Sequence, residues 1–155
     1  MAPLHREPLG DVRLDLAAEA EHGLGQLAAA RSDYGQAQAH LQRAARLAPT
    51  DEKIRNDLGV VYLNQLRIEE ARFEFLTAIE LKQSEPLAAI NLVTLLLYQD
   101  NWKQAAEVVS QSGLSREQFS IAQDRAEQLK APQKARTTAG DQVAAVAETQ
   151  TSHLK

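Results

Sequence analysis

Residues 56–81 read NDLGVVYLNQLRIEEARFEFLTAIEL. The stretch holds two amphipathic runs with small residues at Gly59, Ala71 and Ala78, and no reactive group. Small residues let helix axes approach to the lower end of the ~8–10 Å range. Two such runs back to back describe a helical hairpin. A lone hairpin leaves one apolar face bare, so the stretch reads as one unit of a stacked repeat.

Shifting the chain by 34 residues tests that reading. Ala37, Ala71 and Ala105 coincide, as do Leu24, Leu58 and Leu92. Ala44 falls on Ala78 and then Ser112; Gly25 falls on Gly59 and then Val93. Leu41, Phe75 and Val109 share one large apolar slot, and Leu47 falls on Leu81. One column is within chance; six at one spacing are a repeat. Gly25 and Gly59 are expected to face the partner helix near Ala37 and Ala71, with Tyr62 and Phe75 filling space between hairpins.

These columns resemble the tetratricopeptide repeat (TPR), a 34-residue unit of two antiparallel helices. The resemblance implies an all-α solenoid of about three hairpins, over about 18–51, 52–85 and 86–113. A capping helix over 115–130 completes a domain spanning 11–130. Residues 1–10 read as a flexible N-terminus. Residues 131–155, with no aromatic and one leucine, read as a disordered tail. The chain departs from the family where an aromatic is usual, at Glu21, Arg55 and Ala89. It departs again where a turn glycine is usual, at Ser32, Leu66 and Asp100, and keeps the closing proline only as Pro49.

Caps set the helix limits. Asp33 with Gln36, Asn101 with Gln104 and Ser115 with Gln118 have capping-box spacing. Ser84 ahead of Pro86 suits a helix start. No such cap stands near Leu66 and Arg67. Val12, Leu16, Ala20 and Leu24 carry helical spacing upstream, so the first helix is long.

Composition narrows the function. The 155 residues carry 17 Lys and Arg against 21 Asp and Glu, a net charge of −4 with no basic cluster, which disfavours nucleic-acid binding. There is no cysteine, so thiolate sites are excluded. No apolar core of signal-peptide type opens the chain, and no run approaches ~18 apolar residues. His5 and His153 lie toward the ends, and His22 and His40 lack ligand-like partners at i, i+4. Glu69 and Glu70 suit a helix's first turn. The Gly-Leu-Gly at 23–25 lacks the strand a phosphate loop needs, and Trp102 reads as packing. No catalytic, cofactor or metal site is expected, and the chain reads as non-enzymatic.

Binding remains. In the family the first helices line a concave groove. Carried over, this implies His22 and Gln26 from the first repeat, Asn56, Val60, Leu63 and Asn64 from the second, and Ile90, Asn91, Thr94, Leu97 and Tyr98 from the third. That lining is apolar with amides and hydroxyls and almost no charge. It suits a protein or peptide partner, such as an amphipathic helix; some of these residues, Leu97 above all, equally suit packing on the C-terminal helix. Members that grip a terminal carboxylate use Lys, Arg and Asn; here the matching positions are His22, Gln26, Asp57, Leu87 and Asn91, so only Asn91 agrees. The wording RNDLGVVYLNQLRIEEARFEFLTAIEL with EPLAAINLVTLLLYQDNW is also similar to TadD-type proteins of the tight-adherence (Flp) pilus. These are TPR lipoproteins of the outer membrane that act as secretin assembly partners (pilotins). That resemblance implies a helix of the secretin in the groove and a place on the periplasmic side of the outer membrane. The lipidated Cys and signal peptide of those proteins have no counterpart here. Alternatives are a cytoplasmic chaperone for a secreted subunit and an enzyme-regulating scaffold.

Overall fold

A computed structural model describes residues 7–131, with side chains from residue 12 onward. Residues 1–6 and 132–155 lie outside it, and with them almost all of the 131–155 tail, His5 and His153. Seven helices follow in order: α1 (Glu7–Ala30), α2 (Tyr34–Leu47), α3 (Glu52–Asn64), α4 (Ile68–Leu81), α5 (Leu87–Tyr98), α6 (Trp102–Ser112) and α7 (Arg116–Lys130). They form a helical-hairpin solenoid of the TPR type: α1/α2, α3/α4 and α5/α6 are the hairpins, and α7 closes the C-terminal end. Helix α1 begins at Glu7, inside the segment expected to be flexible.

The hairpin turns share one geometry. Ser32, Leu66 and Asp100, one period apart, take φ of 59°, 58° and 58°. Beyond each, an N–H reaches back across the helix end: Asp33 to Ala28 O at 2.9 Å, Arg67 to Tyr62 O and Asn101 to Leu96 O at 2.8 Å. These are Schellman closures, normally built with glycine in the left-handed position. The positions where the sequence lacks the usual glycine are therefore the ones where the backbone is left-handed.

Caps follow the sequence with two exceptions. Asp33, Asn101 and Ser115 accept from the N–H groups of Gln36, Gln104 and Gln118, and Ser115 with Gln118 closes a full capping box. Helix α4 starts at Arg67 with no side-chain cap. Ser84 caps nothing: α5 follows Pro86 without a side-chain bond. Asp51, unremarked in the sequence, caps α3 through the N–H groups of Lys53 and Ile54.

Packing within hairpins corrects one expectation. A Cβ on Gly25 would lie 2.6 Å from Leu41 Cγ, and one on Gly59 would lie 2.5 Å from Phe75 Cε1. Phe75 thus fills its own hairpin by lying on Gly59, rather than the space between hairpins; Ala71 is fully buried beside it. The third hairpin solves the same slot with Val93 and Val109. A second column explains the missing aromatics. Glu21 pairs with His40 and Arg43, and Arg55 pairs with Glu74 at 3.2 Å. The first- and second-helix members, Glu21/His40 and Arg55/Glu74, are one period apart and reversed in polarity. The third unit places Ala89 and Val108 there.

Helix α7 departs from the array. It packs heavily on α5 and barely on α6. The exit from α6 is the physical reason: α2 and α4 end on caps of negative φ at Ala48 and Lys82, whereas α6 ends on Gly113 in the left-handed region at φ 63°. Helix α6 also stops at 11 residues against 14 for α2 and α4.

Candidate functional site

The first helices α1, α3 and α5 run side by side, and polar contacts 31 to 35 residues apart join them to one another and to α7. His22 Nε2 donates to Asp57 Oδ2 at 2.5 Å, and Gln26 Nε2 donates to the same oxygen at 3.1 Å. Asn91 Nδ2 donates to Asn56 Oδ1 at 2.8 Å, and the Arg125 guanidinium donates to Asn91 Oδ1 at 3.2 Å. Asn56 and Asn91 are both buried, so each bond satisfies an amide that would otherwise be desolvated at a cost of ~1–3 kcal/mol.

The row opens at its N-terminal half. A cleft of about 280 Å³ lies between α1, α3 and the entry to α5. His22, Gln26, Asn56 and Asp57 form one side, Ala78, Leu87 and Ala88 give apolar floor, and Glu52, Lys53, Lys82 and Glu85 form the charged margin. Lys82 Nζ bridges Glu52 and Glu85 at 3.7 and 3.8 Å. Three carboxylates against two ammonium groups leave the cleft net acidic at neutral pH, before counting His22. The lining is not the nearly uncharged one expected.

The expected groove residues divide sharply. His22, Gln26 and Asn56 meet at the cleft. Val60 is half-buried, and Asn64 is exposed but spends its amide on Val60 O of its own helix. Leu63, Ile90, Asn91, Thr94 and Leu97 are buried. They belong to the core, and Thr94 donates to Ile90 O. Tyr98 is half-buried against that core. The third-repeat members are interior because α7 lies on α5, where a partner helix was expected. Asp57, Leu87 and Lys82 are what the groove reading missed. Pairing first-helix residues one period plus one residue apart, as His22 with Asp57 and Asn56 with Asn91, would have exposed the first of them.

Two carboxyls are perturbed away from this cleft. The hydrogen bond from His40, aided by Arg43, lowers the Glu21 carboxyl below the usual range. Burial raises that of Glu74, with Arg55 opposing. Among the described residues no three His, Asp or Glu side chains converge as a metal set, and no helix is long and apolar enough to cross a membrane.

Comparison with known proteins agrees with the architecture. A tetratricopeptide-repeat family model matches residues 28–90. A TPR repeat-containing protein of Pseudomonas aeruginosa is 43% identical over 110 residues, covering 71% of this chain. The matched part spans only 45% of that relative's length. The TPR2B domain of yeast Sti1, solved in a complex with pHsp70, superposes with a TM-score of 0.65 at 19% identity, over 73% of this chain and 98% of that one. The chain has the helical-hairpin fold of tetratricopeptide-repeat proteins and is similar to them in sequence over residues 28–90.

Proposed function

We propose that this protein is a non-enzymatic adaptor that holds a polypeptide segment in the cleft between α1, α3 and the entry to α5. One observation carries the reading: α7 fills the C-terminal half of the first-helix row, and the 280 Å³ cleft is the part left open. Its chemistry favours a segment that buries a modest apolar side chain on Leu87 and Ala88 and sets a Lys or Arg near Asp57 and Glu85. A free C-terminal carboxylate would meet Asp57 and be repelled.

The finer identity we propose is the assembly partner of an outer-membrane secretin in tight-adherence pilus biogenesis. It rests on the wording of residues 55–81 and 85–102 and their similarity to TadD-type proteins. Co-purification with an outer-membrane secretin of a tight-adherence system tests that identity. The cleft is tested separately by Leu87→Glu, which adds a carboxylate to the apolar floor. Capture of the partner should fall at least tenfold with the helical circular-dichroism signal unchanged, and should weaken as salt screens the acidic margin. Wild-type capture by Leu87→Glu places the partner elsewhere. Loss of the secretin alone, with another partner still captured through Leu87, retires the pilus identity and keeps the cleft.

A further inference from the structure

We infer that copies of this chain stack end to end, the outer face of α1 in one copy docking on the vacated face of α6 in the next. The repeat supplies the argument. Leu24, Leu58 and Leu92 occupy one column; the latter two are 2% and 4% exposed, and Leu24 is 47% exposed. Leu27 shares a column with the fully buried Val61 and Leu95, yet is 62% exposed. In the second and third hairpins this face lies on the preceding second helix, α2 or α4. In α1 it is bare, so the surface that fits it is that of a second helix with no follower.

Among the described residues α6 is such a helix. Ala106 and Ser110 of α6 fall one and two periods after the residues of α4 and α2 that receive the next first helix. Gln38 and Gln42 of α2, for example, bond to Gln65, Arg67 and Tyr62. Because α7 has moved onto α5, those two α6 residues instead line an apolar cleft of about 360 Å³ beside Val109, with Leu114 and Phe119 at its edge. Trp102, whose counterparts Tyr34 and Ile68 are half-buried in the core, is 53% exposed. The bare first-helix face and the unfilled second-helix face are the two halves of a contact this molecule already makes twice internally. A second copy offers both. The contact is heterologous, so it does not close at a dimer. A contact of this kind confined to helix faces falls in the small, transient class.

The absence of cysteine allows a direct test. Leu27→Cys and Ala106→Cys each replace an exposed side chain. A short bismaleimide should link a mixture of the two variants into heterodimers far faster than either variant alone into homodimers. In sedimentation, wild-type protein should show mass rising past the dimer with concentration. Leu24→Glu/Leu27→Glu and Ala106→Glu/Ser110→Lys, each folded by circular dichroism, should be monomeric alone. An α1-blocked variant mixed with an α6-blocked one should stop at a 1:1 dimer. A wild-type protein monomeric up to about 1 mM, the weak limit of specific association, overturns the inference. So does a dimer abolished by the α1 substitutions but untouched by those in α6, which would be an α1–α1 pair.

Discussion

The two ends of the array carry the same columns of residues and meet opposite fates. At the C-terminal end every residue of α5 from Ala88 to Leu97 is buried. At the N-terminal end α1 is twice as long, and Val12, Leu16, Leu24 and Leu27 stand in solvent. Leu24 and Leu92 are the same residue in the same slot. Burial in a solenoid is therefore set by neighbours in the stack and not by the helix's own sequence. The face of α5 that carries Leu92 lies on α4, a preceding second helix that α1 lacks among the described residues, and α7 covers α5 besides. Helix α7 buries Ala122 and Ala126, sets Phe119 and Leu129 half-buried against the core, and so covers a helix that cannot face water.

The sharpest way to break this contrast is to strip one end and then the other. Ending the chain after Leu114 uncovers α5. Exposure of even two leucine-sized side chains is worth about 3–6 kcal/mol, enough to unfold the third hairpin at 25 °C. Removing residues 1–16 should change the unfolding free energy from urea denaturation by no more than about 0.5 kcal/mol. An unchanged midpoint in the first truncation would show that α5 does not depend on α7.

Inside the hairpins the contrast narrows to two glycines. Gly59→Ala drives a methyl into the Phe75 ring and should cost about 1–3 kcal/mol. Gly23 has nothing within 4 Å of a new Cβ, so Gly23→Ala should instead stabilise by about 0.5–1 kcal/mol. Combining Gly59→Val with Phe75→Val copies the third hairpin's pair, and should recover part of what each single change loses. Strict additivity in that cycle would show that Gly59 and Phe75 do not share a slot.

The reversed ion pairs give the two hairpins opposite responses to acid. The Glu74 carboxyl is raised in the folded state, so the native protein holds that proton after the unfolded chain has released it. Stability from this group is highest below the ordinary carboxylate value and falls as pH rises through the raised one. Glu21 is lowered, so its contribution is present above the ordinary value and is lost as pH falls through the lowered one. Glu74→Gln should therefore flatten the decline on the upper side, and Glu21→Gln the rise on the lower side. Denaturation midpoints followed from acid to neutral pH check both signs. Identical profiles for the two variants would mean that the polarity reversal has no energetic consequence.

Much of this was legible at the sequence level. The 34-residue columns gave the hairpins, and Ser32, Leu66 and Asp100 marked the left-handed turns. The groove in the third repeat was not legible. Its failure traces to Gly113, a local signal for a different exit from α6, and to Arg125, whose reach to Asn91 depends on where α7 then lies. Periodicity specifies which residues face a neighbour. It does not specify whether that neighbour is another repeat, a partner or the chain's own end. The Glu21/His40 and Arg55/Glu74 contacts span the same 19 residues in their hairpins, a spacing that was readable but needed the question of how a missing aromatic is replaced.

The smallest effects lie at the turns, and they rank the three hairpins. A non-glycine residue in the left-handed region carries about 1–2 kcal/mol of strain. Glycine relieves it but loses more entropy on folding, so the net gain is at most about 1 kcal/mol. Leu66 should show nearly all of that gain. Leucine has no local side-chain bond to ease φ of 58°, and its exposed side chain gives up little burial on replacement. Ser32→Gly should gain less, since serine is smaller. Asp100→Gly should be close to neutral: aspartate tolerates this conformation better, and its carboxylate pairs with Lys130 at the end of α7. Gly113→Ala, at φ 63° with open space around a new Cβ, should lose about 1 kcal/mol for backbone reasons alone. Thermal midpoints of the four variants should fall in the order Leu66→Gly, Ser32→Gly, Asp100→Gly, Gly113→Ala. If Asp100→Gly instead gains as much as Leu66→Gly, the Asp100–Lys130 contact contributes nothing to holding α7 on α5. The cover over the third hairpin would then rest on its apolar contacts and Arg125 alone.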